Sequence, residues 1–254
     1  AHPITLVGDE PGLPYQRPPL SKAFLQGKVD EVGLLLRPSA FYERLKARIL
    51  DGTRVLGIDR GARTVSLSNG ETLPYDHLVL ATGAAARTLD VPGAQLDGVC
   101  VLRGLDDARR LKDRLKQAGA VAVVGAGFIG LELAAVARGM GMAMHVIEMS
   151  ERPLARALSE PMASHLQRFH EAQGTRFHLS AQLDAIEGED GHATGVWLRD
   201  GTRVAADLVV VAAGVSPNDT LARDADLAVG IGIVVDELLL TSDPAISALG
   251  DCAS

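Results

Sequence analysis

A glycine pattern in the middle of the chain restricts the fold more than any other feature of the sequence. Gly125, Gly127 and Gly130 stand in the order G-x-G-x-x-G, directly after the apolar run AVAVV and at the start of the run FIGLELAA. In this pattern the first glycine permits a tight turn, the second lets a pyrophosphate approach the backbone, and the third lets helix and strand pack closely. The helix N-terminus offers free N–H groups and a partial positive charge to the phosphates. The pattern predicts a dinucleotide site; the alternative is a glycine-rich turn of an α/β fold that binds no ligand.

The residues after this helix indicate which dinucleotide is preferred. A second strand-like run, AMHVI, is followed by Glu148, which stands 23 positions after Gly125. A carboxylate at this position accepts hydrogen bonds from the adenosine ribose hydroxyls and repels a 2′-phosphate. Residues 120–148 therefore predict a strand–loop–helix–strand unit that prefers NADH to NADPH.

Charged side chains near this unit have two interpretations each. Glu132 lies in the first turns of the predicted helix, where an acid either complements the helix dipole or faces the nicotinamide end of the site. Arg156 follows the second strand and is either a contact of NADH or a solvated surface residue. The basic run ARRLKDRL at 108–115 is either a docking surface for an acidic partner protein or the solvated face of an amphipathic helix.

The rest of the sequence alternates strand and helix patterns, which is typical of an α/β protein. Two apolar strands end in acids and two end in glycine, so the chain shows an approximate duplication of its chemistry. The predicted elements are a buried strand at 4–10, a helix at 41–50, a hairpin at 52–83 that leads into a strand at His77–Ala81, an amphipathic helix at 105–119, a helix at 160–177 that ends near Gly174, and three strands within 179–211.

Composition and charge exclude several classes of protein. The net charge of −7 and the pI near 5.5 argue against a general nucleic-acid binder, because no global positive field is present. No apolar run approaches the roughly 18 residues of a membrane-spanning helix, and the seven histidines form no metal-binding motif. Cys100 and Cys252 stand far apart, which excludes a disulfide scaffold. We expect a cytoplasmic protein without nucleic-acid, membrane or metal partners.

Five motifs occur in order and at suitable spacing: PYQRPPLSKAFL, LVLATGA, VVGAGFIGLELAA with VIE, AGVSPN and TSDPAISALGDCA. Together they resemble the FAD-dependent, NADH-using ferredoxin reductases of oxygenase systems, both biphenyl-dioxygenase-type and putidaredoxin-reductase-like. The resemblance covers essentially the whole chain. It implies an α/β chain with two Rossmann-like dinucleotide-binding domains of the glutathione-reductase type, in which the NADH domain is inserted into a split FAD domain. The implied segments are 1–105 and 222–254 for the FAD domain and 106–221 for the NADH domain.

The resemblance also implies roles for individual side chains. Lys22 and Glu132 are the implied catalytic residues, with Lys22 at the reactive edge of the flavin, where a lysine stabilises negative charge on the reduced ring. Without the resemblance, the weaker alternative for Lys22 is a solvated surface lysine, and Asp251 is equally the N-cap of a following helix. The other implied FAD contacts are Asp9, Glu10, Arg17, Val55, Ala81, Thr82, Gly83, Arg103 and Asp251. The NADH contacts, from the glycine pattern and the resemblance together, are Gly125, Gly127, Phe128, Ile129, Gly130, Glu132, Glu148, Arg156 and Gly214.

Two parts of the family pattern do not occur in this sequence. Family members carry an earlier strand–G-x-G-x-x-G–helix of roughly 30 residues that binds the FAD pyrophosphate, and they continue after GDCA into a C-terminal domain. We therefore expect a fragment or a truncated product in which the NADH site is intact and FAD binding is impaired or absent. Without the central strand of the FAD sheet, its neighbours should expose their edges, and this region should be disordered or rearranged.

Three functions are compatible with these motifs. The first is transfer of electrons from NADH through FAD to a small iron–sulfur ferredoxin that serves an oxygenase, which needs positioning and electrostatics but no nucleophile. The second is a flavoprotein disulfide or peroxide reductase, which needs a redox cysteine where this chain has Ser21 and Lys22. The third is a nucleotide-binding module without turnover. No motif specifies the oligomeric state.

Overall fold

The computed structural model describes residues 3–254 of the chain. Its strands, in chain order, are β1 (Thr5–Val7), β2 (Arg48–Leu50), β3 (Val55–Asp59), β4 (Thr64–Leu67), β5 (Thr72–Pro74), β6 (Leu78–Leu80), β7 (Ala84–Ala86), β8 (Val99–Val101), β9 (Ala120–Val124), β10 (Ala143–Ile147), β11 (Thr175–His178), β12 (Leu183–Glu189), β13 (His192–Leu198), β14 (Arg203–Ala205), β15 (Leu208–Val211), β16 (Val215–Pro217) and β17 (Ile246–Ala248).

The α-helices are short in one part of the chain and longer in the other. They are α1 (Glu31–Leu34), α2 (Ser39–Arg44), α3 (Leu105–Leu115), α4 (Phe128–Gly139), α5 (Glu160–Ala172) and α6 (Thr220–Asp224), with short 3-10 helices at Pro18–Ser21 and Gly250–Cys252. Across residues 3–254, none of the helices has the length and the hydropathy that crossing a membrane requires.

The chain divides into two compact units. Unit 1 comprises the described part of Ala1–Tyr15 together with Leu35–Ala85 and Val215–Ser254, and unit 2 comprises Gln16–Leu34 and Ala86–Gly214. These bounds differ from the predicted segments, since 16–34 and 86–105 cluster with the central part of the chain. The second difference has a simple cause, because β8 pairs in parallel with β15 and is an edge strand of the main sheet of unit 2. The assignment of segments to FAD and to NADH stays a prediction.

Unit 2 is built on a five-stranded parallel sheet with the strand order β11-β10-β9-β15-β8. Its central strands β9 and β15 consist only of alanine, valine and leucine, and they are almost entirely buried. Side chains alternate between the two faces of a strand, so Ala122, Val124 and Val209 pack against the antiparallel sheet β12-β13-β14. Val123 points the other way, where α4 packs on β9 and β10. The strand–loop–helix–strand unit predicted at 120–148 is therefore confirmed.

The amphipathic helix predicted at 105–119 is α3, and its two faces are cleanly separated. Ala108, Leu111 and Leu115 are completely buried, and the Asp107 carboxylate accepts the backbone N–H groups of Arg103 and Gly104, each at 3.0 Å. The ion pairs of the exposed face join Arg109 to Glu31 and Asp106, Arg110 to Asp107, Arg114 to Asp97, and Lys116 to Asp113. Because neighbouring acids balance these bases, the arrangement favours a solvated face over an acid-binding surface.

Unit 1 contains small sheets. β1 pairs in parallel with β2, β6 pairs in parallel with β17, and β3, β4 and β5 form an antiparallel sheet. These strands form, so disorder of this region is not observed, whereas its expected rearrangement stays a prediction. The prediction of a buried strand at 4–10 was wrong about burial, because Ile4 and Leu6 are 55% and 39% exposed. The helix predicted at 41–50 ends at Arg44, and its last residues form β2 instead. A helical sequence pattern does not show whether the same residues will pair with a strand from another part of the chain. Here the strand that pairs with β2 is β1.

The remaining element predictions agree with the structure except in two respects, the first being that residues 175–177 of the predicted helix lie in β11. The helix predicted at 160–177 is α5, and Gly174 follows its end with a φ of +90°, a conformation that favours glycine. The predicted hairpin within 52–83 is the β3-β4-β5 sheet, and β6 lies inside the predicted strand His77–Ala81. Residues 179–211 form four strands where three were predicted.

Two histidines of unit 2 lie side by side on adjacent strands. His145 of β10 and His178 at the end of β11 have stacked rings, and the Nδ1 atom of His145 is 3.1 Å from the Nε2 atom of His178. Burial lowers the pKa of both rings, and His178 and Arg176 lower that of His145 further. A hydrogen bond between two imidazoles needs one unprotonated nitrogen as acceptor, so the contact requires at least one of the two rings to be neutral.

Acid is expected to destabilise the fold through this pair. The native pKa values lie below the unfolded value of about 6.5, so the unfolded chain binds more protons in that interval. The stabilisation that the two neutral histidines contribute is therefore complete above about pH 6.5 and is lost as the pH falls through the native pKa values. In the variant His178→Gln, the melting temperature, followed by circular dichroism, should fall less between about pH 8 and about pH 5. The control His165→Gln removes an exposed histidine of α5 and should keep the parent's decline; an undiminished decline in His178→Gln would contradict the prediction.

Candidate functional site

The glycine loop connects β9 to α4 by a turn that only glycine adopts without strain. Gly125 has a φ of +111°, and a Cβ atom at this position would lie 2.4 Å from the carbonyl oxygen of Ala212. Its backbone N–H donates to the carbonyl oxygen of Ile147 at 2.8 Å. The loop is therefore held between the ends of β10 and β15, its neighbours in the parallel sheet.

The other two glycines of the loop differ in what surrounds them. A Cβ atom at Gly130 would lie 2.1 Å from the carbonyl oxygen of Gly125 and 3.1 Å from the Cγ1 atom of Val123, so the first turn of α4 packs directly on the loop. Gly127 is exposed and has an ordinary φ of −77°, and a Cβ atom there would meet nothing within 4 Å. The space over Gly127 lies at the helix N-terminus, where the first N–H groups have no acceptor within the helix. This open cradle fits a pyrophosphate.

Glu148, the acid at the end of β10, is held by two backbone groups. Its Oε2 atom accepts the N–H of Ala126 at 2.7 Å, and its Oε1 atom accepts the N–H of Ser150 at 2.8 Å. The first contact comes from the glycine loop itself, so the tertiary structure brings the predicted ribose acid to the predicted phosphate cradle. Each oxygen keeps acceptor capacity for a hydroxyl donor.

The two residues predicted to be catalytic form an ion pair in unit 2. The Nζ atom of Lys22 lies 2.8 Å from the Oε1 atom of Glu132, and the side chains are 50% and 28% exposed. The hydroxyl of Ser21 donates to the Oε2 atom of Glu132 at 2.5 Å. Glu132 is the fifth residue of α4, so its partners are these two side chains rather than the orphan N–H groups of the first turn. Ser21 was not predicted as a site residue, although it adjoins Lys22 in the motif QRPPLSK.

Arg17 and Arg103, predicted to lie near the flavin, are also in contact with each other. A guanidinium nitrogen of Arg17, Nη1, donates to the carbonyl oxygen of Arg103 at 2.7 Å. Arg17 immediately precedes the 3-10 helix Pro18–Ser21, in which two prolines restrict the backbone. The contact joins the segment that carries Lys22 to the start of α3.

In unit 1, the acids that follow β1 already have partners. The carboxylate of Asp9 pairs with Arg54 at 2.9 Å, and the carboxylate of Glu10 accepts the hydroxyl of Tyr15 at 2.5 Å. Asp9 is exposed, whereas Glu10 is half-buried. Both side chains therefore present oriented oxygen atoms, which are acceptors of the kind that ribose hydroxyls require.

A second group in unit 1 lies at the carboxyl ends of the parallel strands β6 and β17. Thr82 and Gly83 follow β6, and Asp251 follows β17 within the 3-10 helix Gly250–Cys252. Parallel strands end at the same edge of a sheet, so these residues share one edge. Asn218, which was not predicted although it lies in the motif AGVSPN, donates from Nδ2 to the carbonyl oxygen of Thr82 at 2.9 Å. The N-cap of that 3-10 helix is Leu249, and the interpretation of Asp251 as the N-cap of a following helix stays a prediction.

The remaining residues that were predicted to contact a cofactor differ in exposure and in position. Phe128 and Ile129, the first residues of α4, are apolar but exposed at 59% and 38%. Arg156 is exposed in the segment between β10 and α5, and Gly214, with a φ of +92°, follows β15. In unit 1, Val55 begins β3, and Ala81 is exposed directly after β6.

Comparisons with known proteins agree with this geometry. A family model described as pyridine nucleotide-disulphide oxidoreductase matches residues 1–254. The chain is similar to rhodocoxin reductase of Rhodococcus erythropolis, with 47% identity over 251 residues, or 99% of this chain and 59% of the relative. It is also similar to rubredoxin-NAD(+) reductase of Pseudomonas putida, with 42% identity over 98% of this chain and 65% of the relative. A crystal structure of a ferredoxin reductase from Rhodopseudomonas palustris matches with a TM-score of 0.96 and 45% identity, covering 98% of this chain and 62% of that chain.

These matches confirm the predicted α/β fold class with Rossmann-type domains, and they confirm the resemblance from which the site residues were carried over. The chain spans about three fifths of the length of the proteins that it matches. The roles of the individual site residues stay predictions.

The contact at Gly130 leads to a prediction about stability. In the variant Gly130→Ala, the added methyl group would overlap the carbonyl oxygen of Gly125, and overpacking of this kind costs about 1–3 kcal/mol of unfolding free energy. Urea denaturation should show a lower midpoint than in the parent chain. Gly139→Ala is the matched control, because a Cβ atom at that helical glycine meets nothing within 4 Å. Equal midpoints for the two variants would contradict the inferred contact.

Proposed function

This chain belongs to the pyridine nucleotide-disulphide oxidoreductase family, and we propose that it acts in a flavoprotein that passes electrons from NADH through FAD to a small iron–sulfur ferredoxin serving an oxygenase. The relatives are named as reductases of rhodocoxin and of rubredoxin, and the matched structure as a ferredoxin reductase. Those names support an electron-carrier protein as the acceptor. The two free cysteines, Cys100 and Cys252, are consistent with a cytoplasmic location.

NADH is the proposed donor because the glycine loop fits it. The open space over Gly127 and the N-terminus of α4 accept the pyrophosphate, while Gly125 and Gly130 shape the turn. Glu148, already oriented by Ala126 and Ser150, accepts the ribose hydroxyls. Its negative charge repels the 2′-phosphate of NADPH, which gives the preference for NADH.

The Lys22–Glu132 ion pair is the observation that carries the proposal of a redox function. FAD, when bound, supplies the acceptor of two electrons and the donor of single electrons. Lys22 carries a positive charge on a side chain that is half exposed, and its ion pair with Glu132 of α4 sets the direction of that side chain. A cation that an ion pair orients stabilises negative charge that develops beside it. Glu132, on the helix that opens at the dinucleotide loop, places this charge next to the proposed nicotinamide end.

In unit 1, the residues at the shared end of β6 and β17 fit a second dinucleotide. Thr82, Gly83 and Asp251 offer a hydroxyl, a glycine with a φ of +65° and a carboxylate at one sheet edge. Asp9 and Glu10 add carboxylates after β1, and Val55 lies at the start of β3. We propose that these residues hold FAD, with Asp251 on the ribityl chain.

A disulfide or peroxide reductase is the weaker candidate. Such chemistry needs an accessible cysteine beside the flavin, and this chain has Ser21 before Lys22. Burial raises the pKa of the Cys100 thiol, which makes it a poor nucleophile at neutral pH. Cys252 is completely buried, and its sulfur contacts the carbonyl oxygens of Leu80 and Leu249.

The function is tested by adding FAD and NADH to the purified chain and following the reduction of a dye acceptor. Because the sequence predicts impaired FAD binding, FAD is added in large excess. Reduction should then need both cofactors and should fall ~100-fold in Lys22→Ala, since removal of one preorganised charge-stabilising group has effects of this size. Lys28→Ala removes an exposed lysine of the same segment and should leave the rate unchanged. NADH binding with neither dye reduction nor flavin absorbance would instead support the module without turnover.

The glycine loop provides a prediction that does not depend on the flavin. A methyl group at Gly127 meets no protein atom, so Gly127→Ala should keep the parent's melting temperature. The methyl group would occupy the space that we assign to the pyrophosphate, so the affinity for NADH, measured by fluorescence titration, should fall at least about tenfold. Gly139→Ala should bind NADH like the parent. Unchanged NADH affinity in a folded Gly127→Ala would place the nucleotide elsewhere.

A further inference from the structure

Ser21 is a polar side chain whose environment the motifs do not explain. It is the last residue of the 3-10 helix Pro18–Ser21 and is only 6% exposed, whereas Lys22, the next residue, is exposed. A buried hydroxyl without a partner costs about 1–3 kcal/mol. The partner of this hydroxyl is the Oε2 atom of Glu132, 111 positions along the chain. The hydrogen bond therefore joins two segments that only the fold brings together.

The two partners of Glu132 hold it in different ways. Lys22 reaches Oε1 with a long side chain that is half exposed, and its Nζ atom also lies 3.3 Å from the carbonyl oxygen of Pro18. An exposed lysine keeps several rotamers, and ordering it costs conformational entropy. Ser21 has a single side-chain torsion before its hydroxyl, and its backbone lies in a helix that begins with two prolines. The serine is thus the rigid partner, and the lysine is the mobile one.

We propose that Ser21 is a positioning residue for the nicotinamide end of the site, which it serves by fixing the carboxylate of Glu132. The hydroxyl holds Oε2, so the carboxylate plane is set and Oε1 is presented to Lys22 in one direction. The inference deepens the proposed function and rests on it, because it takes the nicotinamide of NADH as the group that the ordered Glu132–Lys22 pair receives. The structure supplies the contact; the effect on the nucleotide is the inference.

The affinities for two nucleotides distinguish a role of Ser21 at the nicotinamide end from a purely structural role. NADH carries the nicotinamide, whereas ADP-ribose carries the same adenosine and pyrophosphate without it. In Ser21→Ala, the dissociation constant for NADH, measured by calorimetry, should rise about tenfold, while that for ADP-ribose stays unchanged; tenfold corresponds to ~1.4 kcal/mol, close to the value of one hydrogen bond to a charged group. Ser159→Ala is the matched control, because the Ser159 side chain makes no capping hydrogen bond at the start of α5. It should bind both nucleotides like the parent.

A double-mutant cycle tests whether Ser21 acts through Glu132. If it does, Ser21→Ala should change the NADH affinity much less in the background of Glu132→Ala, which removes the acceptor of the Ser21 hydroxyl, than in the parent. Ser21→Cys provides a second variant of nearly the same volume, in which the thiol is a weak donor, and its loss of NADH affinity should match that of Ser21→Ala. A melting temperature for each variant shows that the chain has folded.

The outcomes distinguish this inference from the proposed function. A parent chain that binds neither nucleotide would overturn the proposed function and the role of Ser21 with it. A parent chain that binds both, with unchanged NADH affinity in Ser21→Ala and Ser21→Cys, would overturn the role of Ser21 alone. An equal loss of NADH and ADP-ribose affinity, or an undiminished effect in the Glu132→Ala background, would also overturn it, because either result assigns Ser21 a purely structural role.

Discussion

The close approach of α4 to the end of β9 is the contact on which the candidate site depends. A Cβ atom at Gly130 would lie only 2.1 Å from the carbonyl oxygen of Gly125, so helix and loop meet at a distance that any larger residue would increase. This contact sets where the helix begins. From that position the N–H of Ala126 reaches Glu148, and Glu132 projects toward the segment that carries Ser21. A shift of the loop and helix would separate Glu148 from Ala126, and Glu132 from Ser21 and Lys22.

The two carboxylates at this loop are held by different kinds of group, and the difference has a functional consequence. Glu148 is bound by backbone N–H groups on both oxygens, which no side-chain substitution removes directly. Glu132 is bound by side chains alone, one rigid and one mobile. The proposed ribose end is therefore built into the fold of the loop, whereas the proposed nicotinamide end depends on two particular residues.

Local sequence patterns predicted the helices and strands that depend on residues close to one another in the chain. The alternation AVAVV, the glycines and the following apolar helix specify the unit from β9 to β10, and α3 follows from the period of Ala108, Leu111 and Leu115. The prediction failed at 41–50, where β2 forms because β1 lies beside it, and at 4–10, where the strand is exposed. In both cases the outcome depends on a neighbour that is distant in the sequence. Short apolar segments do not reveal such neighbours.

By itself, the sequence determined the glycine loop, the acid at Glu148 and the family resemblance, because these depend on residue types at fixed short spacings. Only the tertiary structure decided that Lys22 pairs with Glu132 and that Ser21 binds the same carboxylate. More than a hundred residues separate the two partners, and their distance depends on how the parallel sheet places α4 beside the 3-10 helix. The sequence shows the chemistry of each residue and its spacing along the chain. The distances between these residues in space are set only by the packing of the sheet and helices.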